Sequence, residues 1–227
     1  MTDLKANYAR VEERVREALH KAGDADRRVT IVAVTKTVPI ETVREFVSLS
    51  LTAHLGESRG QELRDKAAAL DSTIQWNFIG PIQTNKVKYI ARDAALVHSV
   101  DSRDIIDELD KRCAALNRSM DILIQVNISN EAQKGGVAPD AAETLIAAAK
   151  EKEHLSVRGL MGIASLSDDA VAVEREFALL RDLRDTLSSR YPSLTELSMG
   201  MSSDFGSALK YGATILRIGS LIFGERG

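Results

Sequence analysis

The sequence predicts an α/β fold: a single (β/α)8 barrel of the TIM type, with one additional helix ahead of the first strand. Three observations carry that expectation. Eight short β-branched or apolar runs each precede a stretch of helical periodicity, and strict strand-then-helix order means parallel strands joined by crossover helices. Eight such units close into a barrel. The runs are mostly apolar on both faces, as strands covered by helices must be. The first strand-to-helix turn, Thr35-Lys36-Thr37-Val38-Pro39, holds no glycine, whereas an open doubly wound sheet usually carries a Gly-rich turn there.

The chain opens with a helix. Leu4, Tyr8, Val11, Val15, Ala18 and Ala22 recur every three or four residues on one face, and Gly23 ends it. Residues 1–23 are thus expected to plug or flank the barrel bottom, within one domain spanning 1–227. Strand runs follow at 29–35, 51–55, 73–79, 95–100, 121–128, 156–164, 194–199 and 214–218. Their helices are expected at 40–49, 61–70, 83–92, 103–116, 139–152, 168–189, 205–211 and 221–226.

Composition narrows the function. Thirty Lys and Arg against 33 Asp and Glu give a net charge of −3, so nucleic-acid backbone binding is excluded as the main business. The single Cys113 excludes an intrachain disulfide and a Cys-based zinc cluster, and it falls in register with Ile105, Ile106, Leu109 and Leu116 on a helix face. His20, His54, His98 and His154 share no metal-ligand spacing, so no metal site is expected and these residues read as structural or surface groups. No apolar run reaches the ~18 residues of a membrane span, and the charged N-terminus is no signal peptide. A cytoplasmic monomer with no membrane partner is the expectation.

Barrels of this kind place their active sites at the C-terminal strand ends. Two features stand out there. Lys36 follows a continuous strand and is fixed at the barrel mouth; in a partly dry pocket its neutral amine would be favoured and could form a Schiff base with an aldehyde. The small-residue loop Ser198-Met199-Gly200-Met201-Ser202-Ser203 after strand 7, with Gly219-Ser220 after strand 8, has the make-up of a phosphate cup. The other strand ends bring Gly56, Glu57, Ser58 and Arg59, then Gly80, Gln83 and Asn85, then His98 and Asp101, then Asn127, Ser129 and Lys134, then Met161 and Ser165. Barrel closure makes strand 8 a neighbour of strand 1, so a reactive amine and a phosphate cup would share one pocket. A phosphate-bearing aldehyde such as pyridoxal 5′-phosphate (PLP) fits. Arg217, in phase with Gly219, would donate to the ring nitrogen and keep it unprotonated.

At these residues the chain resembles a known family. VAVTKT at 32–37, WNFIGPIQTNK at 76–86, VHSVDS at 97–102, LIQVNIS at 123–129, GLMGIAS at 159–165, LSMGMSSDFGSAL at 197–209 and ILRIGSLIFGER at 215–226 closely resemble the YggS/PROSC family of pyridoxal phosphate homeostasis proteins, relatives of the alanine racemase barrel domain. The resemblance implies Lys36 as the Schiff-base lysine, Met201 and Ser202 at the phosphate loop, Arg217 at the ring, and Gly219 with Ser220 at the phosphate. It departs at Ser58, where the family usually has asparagine, and at Asn77, where it usually has histidine.

The expected function is holding PLP and passing it to PLP-dependent apo-enzymes, with no catalytic residue assigned. Racemase-type exchange needs a base on each face of the bound ring, and Tyr8, Tyr89, Tyr191 and Tyr211 fall on predicted helices or their ends. The alanine racemases take their second base from a β-domain after the barrel, and this chain stops at Gly227. The rivals are a weak PLP-dependent amino-acid racemase or lyase using Lys36 alone, and a cofactor-free Schiff-base aldolase, which would be colourless.

Overall fold

In the computed structural model, which describes residues 3–131 and 133–225, eight parallel strands close into a barrel in sequence order. They are β1 (Thr30–Val34), β2 (His54–Glu57), β3 (Gln75–Phe78), β4 (Leu96–Val100), β5 (Met120–Val126), β6 (Leu155–Gly162), β7 (Glu196–Ser198) and β8 (Ile215–Ile218). Side-chain alternation divides each strand between two environments. Val32 of β1 packs inside the barrel with Leu123, Met161 and Ile215, while Ala33 joins the larger apolar layer between sheet and helices. β1 pairs with β8 in the register Val32 opposite Arg217, which closes the ring.

The helices are α1 (Leu4–Lys21), α2 (Ile40–Ser48), α3 (Gly60–Ala69), α4 (Val87–Asp93), α5 (Arg103–Ala115), α6 (Ala142–Lys150), α7 (Ala170–Ser188), α8 (Phe205–Lys210) and α9 (Ser220–Phe223). The Asp3 side chain accepts from the Ala6 N–H and starts α1. The buried stripe of α1 is Leu4, Tyr8, Val11, Val15 and Leu19. Leu19, four residues after Val15, takes the place expected of Ala22, which is exposed just past the helix. α1 packs on α8 and α9, and Tyr8 meets Phe46 of α2 edge-on at 5.8 Å. It therefore belongs to the outer helix layer and does not cover the barrel bottom, where Thr30, His54, Gln75 and Asp121 line a small cavity without it. Residue 226, the expected end of the last helix, lies outside the described residues.

Two sets of expected strand-end residues shift. The second strand runs over His54–Glu57, later than expected, so Gly56 and Glu57 are strand residues and not loop. Gly56 points inward, where any Cβ would sit 2.8 Å from Val32 Cγ1, and Glu57 is buried against α3. His98 and Met161 likewise lie within β4 and β6. Cys113 is fully buried on α5, as its register implies.

Candidate functional site

A cavity of about 690 Å³ opens at the C-terminal ends of β1, β2, β3 and β6–β8. Lys36, Met201, Ser202, Arg217, Gly219 and Ser220, all six residues singled out from the sequence, line it. Val34, Ile79 and Ile163 supply apolar wall, and exposed Glu225 stands at its edge.

Lys36 is in phase with Val32 and Val34, so alternation directs it to the barrel mouth. Its side chain is exposed rather than partly dry, which corrects the expectation of a pocket that strips its water. What is buried is the support behind it. The Thr35 hydroxyl donates to Glu57 Oε1 at 2.6 Å, and Lys66 Nζ of α3 donates to the same oxygen and to the Thr35 carbonyl, both at 2.7 Å. On the other flank the Thr37 N–H donates to Glu62 Oε1 at 2.9 Å. That bond holds Thr37 at φ 61°, a region costly for a β-branched residue. Both neighbours of Lys36 are thus tied to β2 and α3. Burial pushes the Glu57 carboxyl up to about 7, against the pull of its bonds from Lys66 and Thr35.

The opposite wall is zipped from β7 to β8. The Arg217 N–H donates to the Gly200 carbonyl at 3.0 Å, and the Gly219 N–H reaches Ser202 Oγ at 3.4 Å. Ser202 is thereby brought beside Gly219-Ser220. Asp204 Oδ1 accepts from the Met201 N–H at 2.5 Å and folds the loop back on itself. Gly200 sits at φ 92°, and a Cβ there would meet Ala208 Cβ at 2.7 Å, so the loop needs glycine.

Beneath the cavity the barrel interior carries a polar chain in place of the usual branched apolar filling. Arg217 Nη1 donates to the Ser198 carbonyl at 2.8 Å and to Ser198 Oγ at 2.7 Å, and Nη2 donates to the Gly162 carbonyl at 2.9 Å. Ser198 Oγ and His98 Nδ1 are 2.8 Å apart, and His98 Nε2 lies 3.0 Å from Asn77 Oδ1. Asn77 Nδ2 donates to the Gln75 carbonyl at 2.8 Å. One assignment satisfies every link. The Ser198 hydroxyl donates to Nδ1, and Nε2–H donates to Asn77. Burial, helped by the Arg217 charge, holds His98 well below the usual imidazole range, so it is neutral. Burial also lowers Arg217, to about 10, which leaves it charged at neutral pH.

Sequence reasoning missed this chain because its members come from strands far apart in sequence, and it missed the Glu57–Lys66–Glu62 group because Glu57 reads as a loop residue while the strand in fact turns it onto α3. Lys134 does not reach the cavity: it bonds Glu131 at 2.6 Å and the Ala164 carbonyl at 2.8 Å. Arg59 lines a neighbouring cleft of about 620 Å³ with Lys36 and Lys86. Among the described residues no cluster of His, Cys, Asp or Glu could hold a metal ion, and no helix is long and apolar enough to cross a membrane.

Comparison with known proteins adds to this geometry. The family model for the alanine racemase N-terminal domain matches residues 4–227. The pyridoxal phosphate homeostasis protein of Aquifex aeolicus is 43% identical over 220 residues, covering 96% of each chain. That of Pseudomonas aeruginosa is 40% identical over 227 residues, covering 100% of this chain and 97% of the relative. Among solved structures, PipY of Synechococcus elongatus with PLP bound superposes with a TM-score of 0.80 at 31% identity, over 92% of this chain and 100% of PipY.

Proposed function

The chain belongs to the pyridoxal phosphate homeostasis proteins, built on the alanine racemase N-terminal domain, and from that premise we propose that it binds PLP as a Schiff base on Lys36 and passes it on to apo-enzymes without efficient turnover. One observation carries the reading: a single cavity gathers Lys36 from the end of β1 with Ser202, Arg217, Gly219 and Ser220 from β7 and β8. The donor set fits the group. Lys36 offers an amine to the aldehyde, the Ser202 and Ser220 hydroxyls offer donors to a phosphate, and Val34, Ile79 and Ile163 offer an apolar wall to a ring. When bound, the group supplies an electrophilic aldehyde carbon and an electron-withdrawing pyridine ring.

Arg217 shapes that chemistry. It remains protonated, and Ser198 and the Gly162 carbonyl fix its guanidinium, so it is a donor only. Placed against the ring nitrogen, it would leave that nitrogen unprotonated and weaken the ring as an electron sink. A second base is the other need of amino-acid turnover. Tyr8 and Tyr89 lie in α1 and α4, Tyr191 and Tyr211 follow α7 and α8, and none of the four lines the cavity. Both points support holding over catalysis. The protein acts, in this reading, as a cytoplasmic monomer whose partners are PLP and acceptor apo-enzymes.

Borohydride reduction of the PLP-loaded protein followed by peptide mapping tests the linkage: the pyridoxyl group is expected on Lys36, and a label on any other lysine overturns it. Incubation with L- or D-alanine in deuterated water tests the rest. Negligible Cα exchange is expected, whereas exchange near ~10 s⁻¹, typical of enzymes, would make this protein a catalyst.

A further inference from the structure

Behind the Lys36 turn lies a charged group that holding PLP does not by itself require. Glu57 is fully buried, and its Oε1 takes the Thr35 hydroxyl and the Lys66 ammonium. Its Oε2 has no donor among the described residues, and the further side chain that meets this carboxyl is the carboxylate of Glu62. Lys66 also lies 3.7 Å from Glu62. Two carboxylates around one ammonium leave one negative charge uncompensated, and one of them is wholly out of water. A single proton between the carboxyls removes that charge and gives the orphaned oxygen a partner.

We propose that Glu57 and Glu62 share one proton and act as a positioning pair that sets how turn 35–37 presents the Lys36 amine. The inference rests on Lys36 being the reactive lysine. With the proton in place, Glu57 donates to Glu62, and Glu62 in turn accepts from the Thr37 N–H, so both flanks of Lys36 are held. When the proton leaves, two carboxylates face each other. Glu62 is the one with access to water, so it is the one that moves, and Thr37 loses the bond that holds its left-handed backbone.

The groups facing the pair are few. Thr35 comes from just after β1, Lys66 and Glu62 from α3, and Arg59 acts on Glu62 from just before that helix. Burial raises Glu57 to about 7. Burial also works to raise Glu62, but the bonds from Glu57 and Thr37, with Lys66 and Arg59, outweigh it and hold Glu62 low. The two move in opposite directions, as expected of two carboxyls that share one proton.

The test uses the protein without PLP, so its failure is separate from failure of the Schiff-base reading. The amide shift of Thr37, followed by NMR from pH 5 to 9, should inflect near 7 in the wild type. In Glu57→Gln it should be flat, because the amide reproduces the neutral acid: Oε1 accepts from Thr35 and Lys66, and Nε2 donates to Glu62. Pulsed acetylation read by mass spectrometry gives the second measurement. The wild-type to Glu57→Gln rate ratio at Lys36 should be near one at pH 6 and drop about three-fold by pH 8.5, as a new negative charge behind the turn favours the ammonium. If Glu57→Gln does not fold, Glu62→Gln should also flatten the Thr37 profile. A flat wild-type profile, an inflection kept in the variants, or a rate ratio constant with pH would each overturn the proposal.

Discussion

Arg217 and Lys36 bring two cationic side chains into one cavity, yet the barrel supports them by different means. Arg217 is held from below by neutral groups. Ser198, His98 and Asn77 form a one-way run of donors, and burial keeps His98 uncharged across the neutral range. Nothing in that run titrates near neutral pH, so the guanidinium keeps its place as pH changes. Lys36 is held from behind by ions. Glu57, Lys66 and Glu62 fix Thr35 and Thr37 on either side of it, and Glu57 is poised near 7. The difference teaches how a site can combine a constant contact with an adjustable one. Neutral dipoles in a dry interior give a fixed geometry, while a buried carboxyl pair gives a geometry that depends on one proton.

Substitutions can break this contrast or sharpen it. The largest effect is expected where neither support is touched. On the proposed reading, Ser202→Ala removes one charge-assisted donor to the phosphate, and PLP affinity should fall roughly ten- to a hundred-fold. Pyridoxal, which lacks the phosphate, should be nearly unaffected in the same titration, and equal loss for both would remove Ser202 from the phosphate site. Next comes the neutral run. Ser198→Ala leaves His98 Nδ1 without a donor and takes an acceptor from Arg217, at a cost of about 1–3 kcal/mol. Urea unfolding should show this loss to be the same at pH 6 and pH 8, and a marked pH dependence would blur the contrast.

The smallest effect concerns the ionic support. Burial raises Glu57 from 4.5 to about 7 on folding, so the folded chain binds that proton more tightly than the unfolded chain. Its contribution to stability is therefore fully present below about pH 4.5 and is lost as pH rises to about 7. Glutamine does not titrate. The stability of the wild type relative to Glu57→Gln should fall by on the order of 1 kcal/mol across that window and then level off, because Glu62 is held low in both proteins and cancels. Urea midpoints of both proteins from pH 4.5 to 8 measure it, and a rise across the same window would break the assignment.

Much of this molecule is legible in its sequence. The family resemblance singles out Met201, while the eight alternating units, the closure of β8 on β1, and the place of Lys36, Ser202, Arg217, Gly219 and Ser220 follow from apolar runs, small-residue loops and the barrel's own geometry. The supports do not. Gly56-Glu57 reads as loop because glycine and a charged residue are poor strand formers, and they are strand here because they pair with β1 and β3, with the glycine facing a crowded interior and the glutamate finding Lys66. His98 reads as a scattered histidine, since its partners Asn77 and Ser198 sit on β3 and β7. Exposure of Lys36 was equally hidden, because residue order places a side chain at the mouth without saying how much water reaches it.

The pairing of the first strand with the last also bears on how the protein comes into being. On the ribosome, Lys36 emerges early, but Ser202, Arg217 and Ser220 arrive only with the final stretch of synthesis. A nascent chain can therefore display the amine long before it can build the cup opposite. A ligand that bridges the two ends would act as a clasp on the whole barrel, raising its resistance to unfolding with the logarithm of the ratio of its concentration to its dissociation constant.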